Sequence, residues 1–307
     1  FSVVNIVGLA IGMAAALLIL TYVAFEYSYD DMHSRQDRIF RVEARFYENG
    51  ELTDDWASSS AGYATAMKQN MSAVEDYTRV GSQYYPEQVV KYNELLYRET
   101  GIGYAEANFF DFFDFKLLKG NKESCLDGPN KVVITERIAQ KYFKGADPIG
   151  KILVFRSNIG EEACEVTGIM EDMPINTHIR YNLLISYKTL PKWMDEYWYR
   201  HEVYSYVLLK SANLKTQVEE DFPVMAEKYK TEEALKNKTW AIQLTNLRDI
   251  HLNPQKAYEP EVKGNRSSIW VLICTALAIL CIAWINYINM TVARSMERAK
   301  EIGIRRA

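Results

Sequence analysis

The chain has 307 residues, 48% of them hydrophobic and 25% charged, with a formal net charge of -4. Those averages suit a soluble protein, yet Val3 to Phe25 is 23 consecutive residues without a charge and Ile269 to Ala293 is 25. A helix needs ~20 apolar residues to cross a bilayer core. The two runs therefore argue against a wholly soluble protein, and the composition argues against a disordered chain, a collagen-like chain or a small disulfide-built domain.

Residues 1–25 read as a first membrane helix rather than a cleaved leader. The run lacks a basic start, exceeds the ~7–15 residues of a signal core, and has no small-x-small site before the charges that follow. Asn5, Gly8, Gly12 and Ala16 fall on one face of this helix, and Gly8-x-x-x-Gly12 is a close-packing pattern. Small residues are common in any membrane helix, so the motif alone does not decide what packs there. The chain opens on Phe1 rather than Met and stops inside a basic segment, which reads as a piece of a longer membrane protein.

Residues 26–268 form the domain between the runs. Ile39 to Phe46 alternates, with Phe40, Val42, Ala44 and Phe46 on one face and Arg41, Glu43 and Arg45 on the other, a half-buried strand ending in the hairpin turn Asn49-Gly50. A helix is expected near Ala61 to Met71, then strands at Tyr77 to Val80, Gln88 to Tyr92 and Leu95 to Arg98. The cluster Phe109, Phe110, Phe112, Phe113 and Phe115 reads as core. Thr135 can cap a helix burying Ile138, Ala139, Tyr142 and Phe143. Strands Ile152 to Phe155 and Ala163 to Met170 bracket a turn at Asn158 to Gly160. Beyond a strand through Tyr204, Tyr206 and Leu208, a helical stripe of Val218, Phe222, Met225, Ala226 and Tyr229 precedes the alternating Trp240, Ile242 and Leu244. The expectation is an α+β extracytoplasmic domain of two subdomains, one inserted at about 88–186, flanked by two transmembrane helices.

Several motifs that resemble chemistry fail on physical grounds. Gly145 to Lys151 fits a phosphate-binding loop in spacing, but Ile152 replaces the magnesium-binding hydroxyl, Pro148 removes an amide, Asp147 repels phosphate, and a strand follows instead of a helix. Gly101-Ile102-Gly103 lacks a third glycine and reads as a turn. His33, His178, His201 and His251 have no metal-ligand spacing, so a metal site would have to be assembled by the fold; hydrogen-bonded or exposed histidines are the better reading. Asp54-Asp55, Glu161-Glu162 and Glu219-Glu220 read as solvated faces. A Cys125–Cys164 disulfide is chemically permitted outside the membrane, though a domain this large does not need one. No catalytic residue, cofactor site or metal site is assigned.

The second membrane helix spans residues 269–293, with Asn286, Asn289 and Ala293 on one face; amides facing lipid are costly, so this face is expected to meet other helices. Residues 294–307 carry five basic and two acidic side chains, and this basic flank marks the cytoplasmic side, placing 26–268 outside. With the positive charge confined to that flank, there is no nucleic-acid footprint.

Taken in order, the motifs resemble a known family. Asn5 to Gly12, Glu26 to Asp30 with His33, and Asp37 to Val42 are similar to the start of MacB-like/FtsX-like permeases of ABC transporters. Phe109 to Gly120, Val132 to Phe143 with Asp147 to Lys151, Val166 to Ile169, and Leu247 to Leu252 resemble their periplasmic core domain, and Arg298 to Arg306 resembles the start of their cytoplasmic coupling segment. The resemblance implies a non-enzymatic permease subunit in the bacterial inner membrane, in contact with lipid. Its partners would be a separate or fused ABC-type ATPase, a second permease copy and a periplasmic protein. The role implied is efflux, lipoprotein release or mechanotransmission. Glu301, Ile302, Gly303, Ile304, Arg305 and Arg306 would form the ATPase-coupling element. The rival reading is a transmembrane sensor with an external ligand-binding domain, whose signalling heptads the interruption at Gly303 would not suit.

Overall fold

The computed structural model describes residues 2–82, 87–157, 160–196, 198–200, 203–230, 236–260 and 263–306. Two compact units emerge: Phe1–Tyr29 with Lys263–Ala307, and Asp30–Val262.

The second unit is built on one thirteen-stranded sheet. One half holds β1 (Ile39–Glu48), β2 (Glu51–Trp56), β3 (Val74–Ser82), β12 (Val203–Leu209) and β13 (Lys238–Asn246). The other holds β4 (Glu87–Tyr92), β5 (Leu95–Thr100), β6 (Ile102–Ala105), β7 (Leu117–Lys119), β8 (Lys131–Thr135), β9 (Ile152–Ser157), β10 (Gly160–Met170) and β11 (Leu183–Ser186). The order is β13-β1-β12-β3-β6-β11-β8-β10-β9-β4-β5, with β2 added to β1 and β7 to β10. β6 with β11 and β8 with β10 run parallel; the other ladders are antiparallel. The segment expected as an insertion, about 88–186, is thus hydrogen-bonded into the same sheet, because β3 pairs with β6 through Val80–Ala105 and Gly81–Tyr104. That ladder replaces the expected break between two subdomains. Arg79 reinforces it: its guanidinium bonds Glu106 at 2.6 Å and lies 4.2 Å from the Tyr187 ring centre.

Register sorts the core into two faces. On one, α2 (Gly62–Asn70) and α5 (Lys215–Ala226) cover Phe40, Val42, Ala44, Phe46, Trp240 and Leu244, while α4 (Glu136–Phe143) covers Val132, Ile134 and Leu153. Thr135 caps α4 by accepting from the Ile138 amide. On the opposite face the five phenylalanines of 109–115, around the one-turn α3 (Phe109–Phe112), pack on Val80, Val133, Leu184 and Tyr206. Asn49 and Gly50 take φ of 53° and 84°, as a tight two-residue hairpin requires. The turn expected at Asn158 to Gly160 lies largely outside the described residues.

Gly101 makes the expected turn with φ 68°, whereas Gly103 sits inside β6. It is needed for space: a Cβ there would lie 2.5 Å from the Tyr181 ring. Gly103→Val should destabilise the domain by about 1–3 kcal/mol through overpacking. Calorimetry checks this, and an unchanged Tm would contradict it.

Candidate functional site

Among the described residues no pocket with convergent chemistry stands out; the notable sites are two buried polar clamps near the ends of the Asp30–Val262 unit. The later one is a strap, residues 254–260, which precedes the second membrane helix in the chain. Arg41 on β1 is 0% exposed and holds Glu43 at 2.6 Å and the strap's Glu259 at 2.6 Å, both at most 2% exposed. Burial disfavours the charged guanidinium, but the Glu43 and Glu259 carboxylates outweigh it and raise its pKa. Lys256 of the strap pairs with Glu43 at 2.9 Å and Asp55 at 2.7 Å and donates to the Gln243 side-chain carbonyl. The strap backbone is tied as well, since the Ala57 amide donates to the Ala257 carbonyl and the Ala257 amide to Asp55. Tyr258 takes φ 59°, costly for a bulky residue; Tyr204 Oη donating to its carbonyl and an edge contact with Trp56 hold it there. The expectation of a half-buried β1 is corrected here: Arg41 and Glu43 alternate outward, but the strap covers that face and pairs them.

The other clamp is at Asp30, three residues past the first membrane helix. Its backbone is left-handed, φ 59°, and its amide donates to the Asn176 carbonyl. An ionised carboxylate only accepts, so His178 Nδ1–H donates to Asp30 at 2.6 Å, with Thr177 Oγ donating to the other oxygen. His178 Nε2 lies 2.9 Å from the Tyr206 hydroxyl. Burial pushes the Asp30 carboxyl up, and His178 and Thr177 overcome that, leaving it below the usual range. His33 follows: its Nδ1 accepts the Asp114 amide at 3.1 Å, which requires a neutral ring, and its other edge faces Phe113 and Phe115. Burial brings its pKa down to about 4.

The Asp-His-Tyr line resembles a proton relay, but all three side chains are buried and neither of two surface grooves, of about 320 and 290 Å³, is lined by them. It reads as a joint. Among the described residues no His, Cys, Asp and Glu group could hold a metal; His201 lies outside them. Two acidic pairs are less solvated than expected: Asp54 and Asp55 bind Lys238 and Lys256, and Glu219 accepts the Leu244 amide. Cys125 and Cys164 are free thiols buried in clusters on opposite sheet faces, so the permitted disulfide is absent. Burial pushes their pKa values up to about 11 and 12. In the loop at 145–151, the Gly150 amide is spent on the Val166 carbonyl, which leaves it unavailable to phosphate.

In the membrane-helix unit, α1 (Ser2–Tyr27) and α6 (Arg266–Arg306) carry apolar spans Ile6–Tyr27 and Arg266–Met296. Gly12 faces Ile279 of α6, where a Cβ would sit 3.6 Å from that side chain, and Ala16 is fully buried. Gly8 has open space beside it, and Asn286 and Asn289 are exposed. The side chains of Asn5 and of Glu301, Ile302, Gly303, Ile304, Arg305 and Arg306 lie outside the described residues. The backbone at Gly303 is helical, so α6 is not interrupted there as expected.

The family profile of the MacB-like periplasmic core domain matches residues 2–223, more than half the chain. The chain belongs to this family. MacB-like membership places it in the permease type of ABC transporter components, as a membrane protein with a periplasmic segment. A domain assigned to a permease protein of Porphyromonas gingivalis shares the fold, with 23% identity over 75% of this chain and 96% of that one and a TM-score of 0.62. The periplasmic region of MacB from Actinobacillus actinomycetemcomitans is 15% identical over 64% and 87% of the two chains, with a TM-score of 0.41. The extracellular domain of the noncanonic ABC-type transporter YknZ from Gram-positive bacteria is 16% identical over 67% and 100%, with a TM-score of 0.46. Comparison with curated protein sequences gives no match. The matched residues of the MacB-like domain end within α5, so the strap lies beyond them.

Two predictions follow from the clamps. Arg41→Met strands two buried carboxylates and should cost about 3–5 kcal/mol, whereas Arg41→Met with Glu43→Leu and Glu259→Leu should recover most of it; chemical denaturation compares them, and equal losses would contradict the pairing. His33, neutral when folded, contributes stability present above its unfolded pKa of ~6.5 and lost as pH falls through about 4, on the order of 3 kcal/mol. His33→Asn should flatten the Tm profile between those limits, and a profile of unchanged slope would contradict it.

Proposed function

We propose that the chain is the permease subunit that couples cytoplasmic ATP hydrolysis by a separate or fused ABC-type ATPase to movement of its periplasmic domain, in efflux, lipoprotein release or mechanotransmission. Family membership supplies the class. The observation that carries the coupling is α6: 41 residues run as one helix from the periplasmic flank into the basic tail. At 1.5 Å per residue that is a rod of about 60 Å, long enough to cross a bilayer and emerge. The basic tail sets the cytoplasmic side, which puts 26–268 in the periplasm of a multi-pass inner-membrane protein. A helix transmits displacement along its axis, so force applied near Glu301 to Arg306 reaches Arg266, six residues past the strap that ends at Pro260.

The subunit acts as a dimer in this reading. Asn286 and Asn289 are exposed on α6 and Gly8 is open on α1, and amides are costly against lipid, so these faces suit further helices, of this protein or a second copy. The periplasmic domain in turn presents its surface to a periplasmic partner.

Glu301→Lys and Gly303→Trp should uncouple ATP hydrolysis from the transport phenotype while membrane orientation stays intact. Paired ATPase and transport assays read the outcome. An ATPase that still binds and is still stimulated normally in both variants would leave the tail as a topology signal only.

A further inference from the structure

The sheet has an open end at β5, which pairs with β4 alone; among the described residues no strand lies beyond it. β4 and β5 are joined by the two-residue turn Asn93-Glu94, flanked by the pair Tyr92–Leu95. Such a turn closes on a hydrogen-bonded pair, and bonding then alternates along an antiparallel ladder. Leu95, Tyr97 and Glu99 therefore spend their backbone groups on β4, while Leu96 and Arg98 direct theirs outward. Natural edges are usually blunted by charge or by cover. Here Leu95 and Leu96 are 53% and 57% exposed, and the strand's charged neighbours, Glu94 and Arg98, are of opposite sign.

We propose that β5 pairs antiparallel with β5 of a second copy about a two-fold axis at Leu96, making one continuous sheet across the dimer. The outward backbone groups must meet outward groups, and charge chooses among the registers this allows. Centring on Leu96 sets Leu96 against its own copy and each Glu94 against the other chain's Arg98, twice. Centring on Arg98 opposes two guanidinium groups, which is unfavourable for directly opposite residues; centring on Tyr97 leaves the charges unmatched. Arg98 already lies 3.7 Å from Glu87 of its own chain, but that pair is solvent-exposed and long, so a second copy is the occupant that uses both charges of this short edge. Tyr97 and Glu99 do not compete for it, since they turn to α4, where the Tyr97 ring packs tilted against Tyr142, centroids 4.1 Å apart, and Glu99 binds Lys141. The pairing rests on the dimer proposed above and specifies its periplasmic contact.

The test uses the full chain in membranes, with Cys274 and Cys281 replaced by alanine and two epitope tags to read association. In a hydrogen-bonded antiparallel pair the α-carbons are ~5.5 Å apart, within disulfide reach. Two Thr100 residues would be on the order of 27 Å apart at ~3.4 Å per residue. Leu96→Cys should cross-link under mild oxidation and Thr100→Cys should not. Glu94→Arg or Arg98→Glu should each lower the Leu96→Cys yield about threefold or more, and the two together should restore it. Equal cross-linking at 96 and 100, or a double reversal no better than the singles, overturns the edge pairing. If the tags still co-purify in that case, the proposed dimer stands without it; if they do not, both fail.

Discussion

A guanidinium wholly removed from water is among the costliest groups a protein can bury, and Arg41 constrains much of what surrounds it. Its charge has to be met inside the fold, and Glu43 on its own strand meets only part of its donor set. Glu259 accepts two more through both its oxygens, which fixes the strap against β1. Lys256 then becomes necessary for the second Glu43 oxygen, and Asp55 for Lys256. Ion pairs of this kind add little net stability compared with apolar packing, but they are highly intolerant of partial loss. A seam built from them stays seated or fails as a unit. That property suits a strap that carries the chain from a sheet toward a membrane helix.

The first clamp uses the same physics at smaller scale. Asp30 adopts a left-handed backbone to bring its carboxylate to Thr177 and His178, and Tyr206 on β12 anchors the far side of the histidine. Tyr206 is also the Cα partner of Arg41 across the β1–β12 ladder. Both clamps therefore converge on adjacent positions of two neighbouring strands. This convergence makes β1 and β12 the common anchor for both ends of the Asp30–Val262 unit.

Much of the fold was legible in the sequence because its signals are local. Period-two patterns placed β1, β12 and β13; Asn49-Gly50 placed a hairpin; Thr135 placed a cap; and the spacing of Val218, Phe222 and Met225 placed the buried face of α5. The clamps were not legible, because their members are far apart in sequence: Arg41 and Glu259 are separated by 218 residues and Asp30 and His178 by 148. An outward-facing Arg41 and Glu43 look the same in sequence whether water or a strap covers them. The one available hint was Asp30 and His33 among the family-like residues after the first helix. The continuous sheet was hidden for a similar reason, since nothing in β3 or β6 announces that they pair.

Amide hydrogen exchange on the membrane-embedded protein tests the central claim most directly. If the chain ends are bolted to the sheet by buried charge, the amides of Asp30, Ala57 and Ala257 should exchange as slowly as those in the middle of β1, opening only with the domain. Exchange of Ala257 and Asp30 at the fast rate of exposed linkers, with β1 still protected, would contradict it.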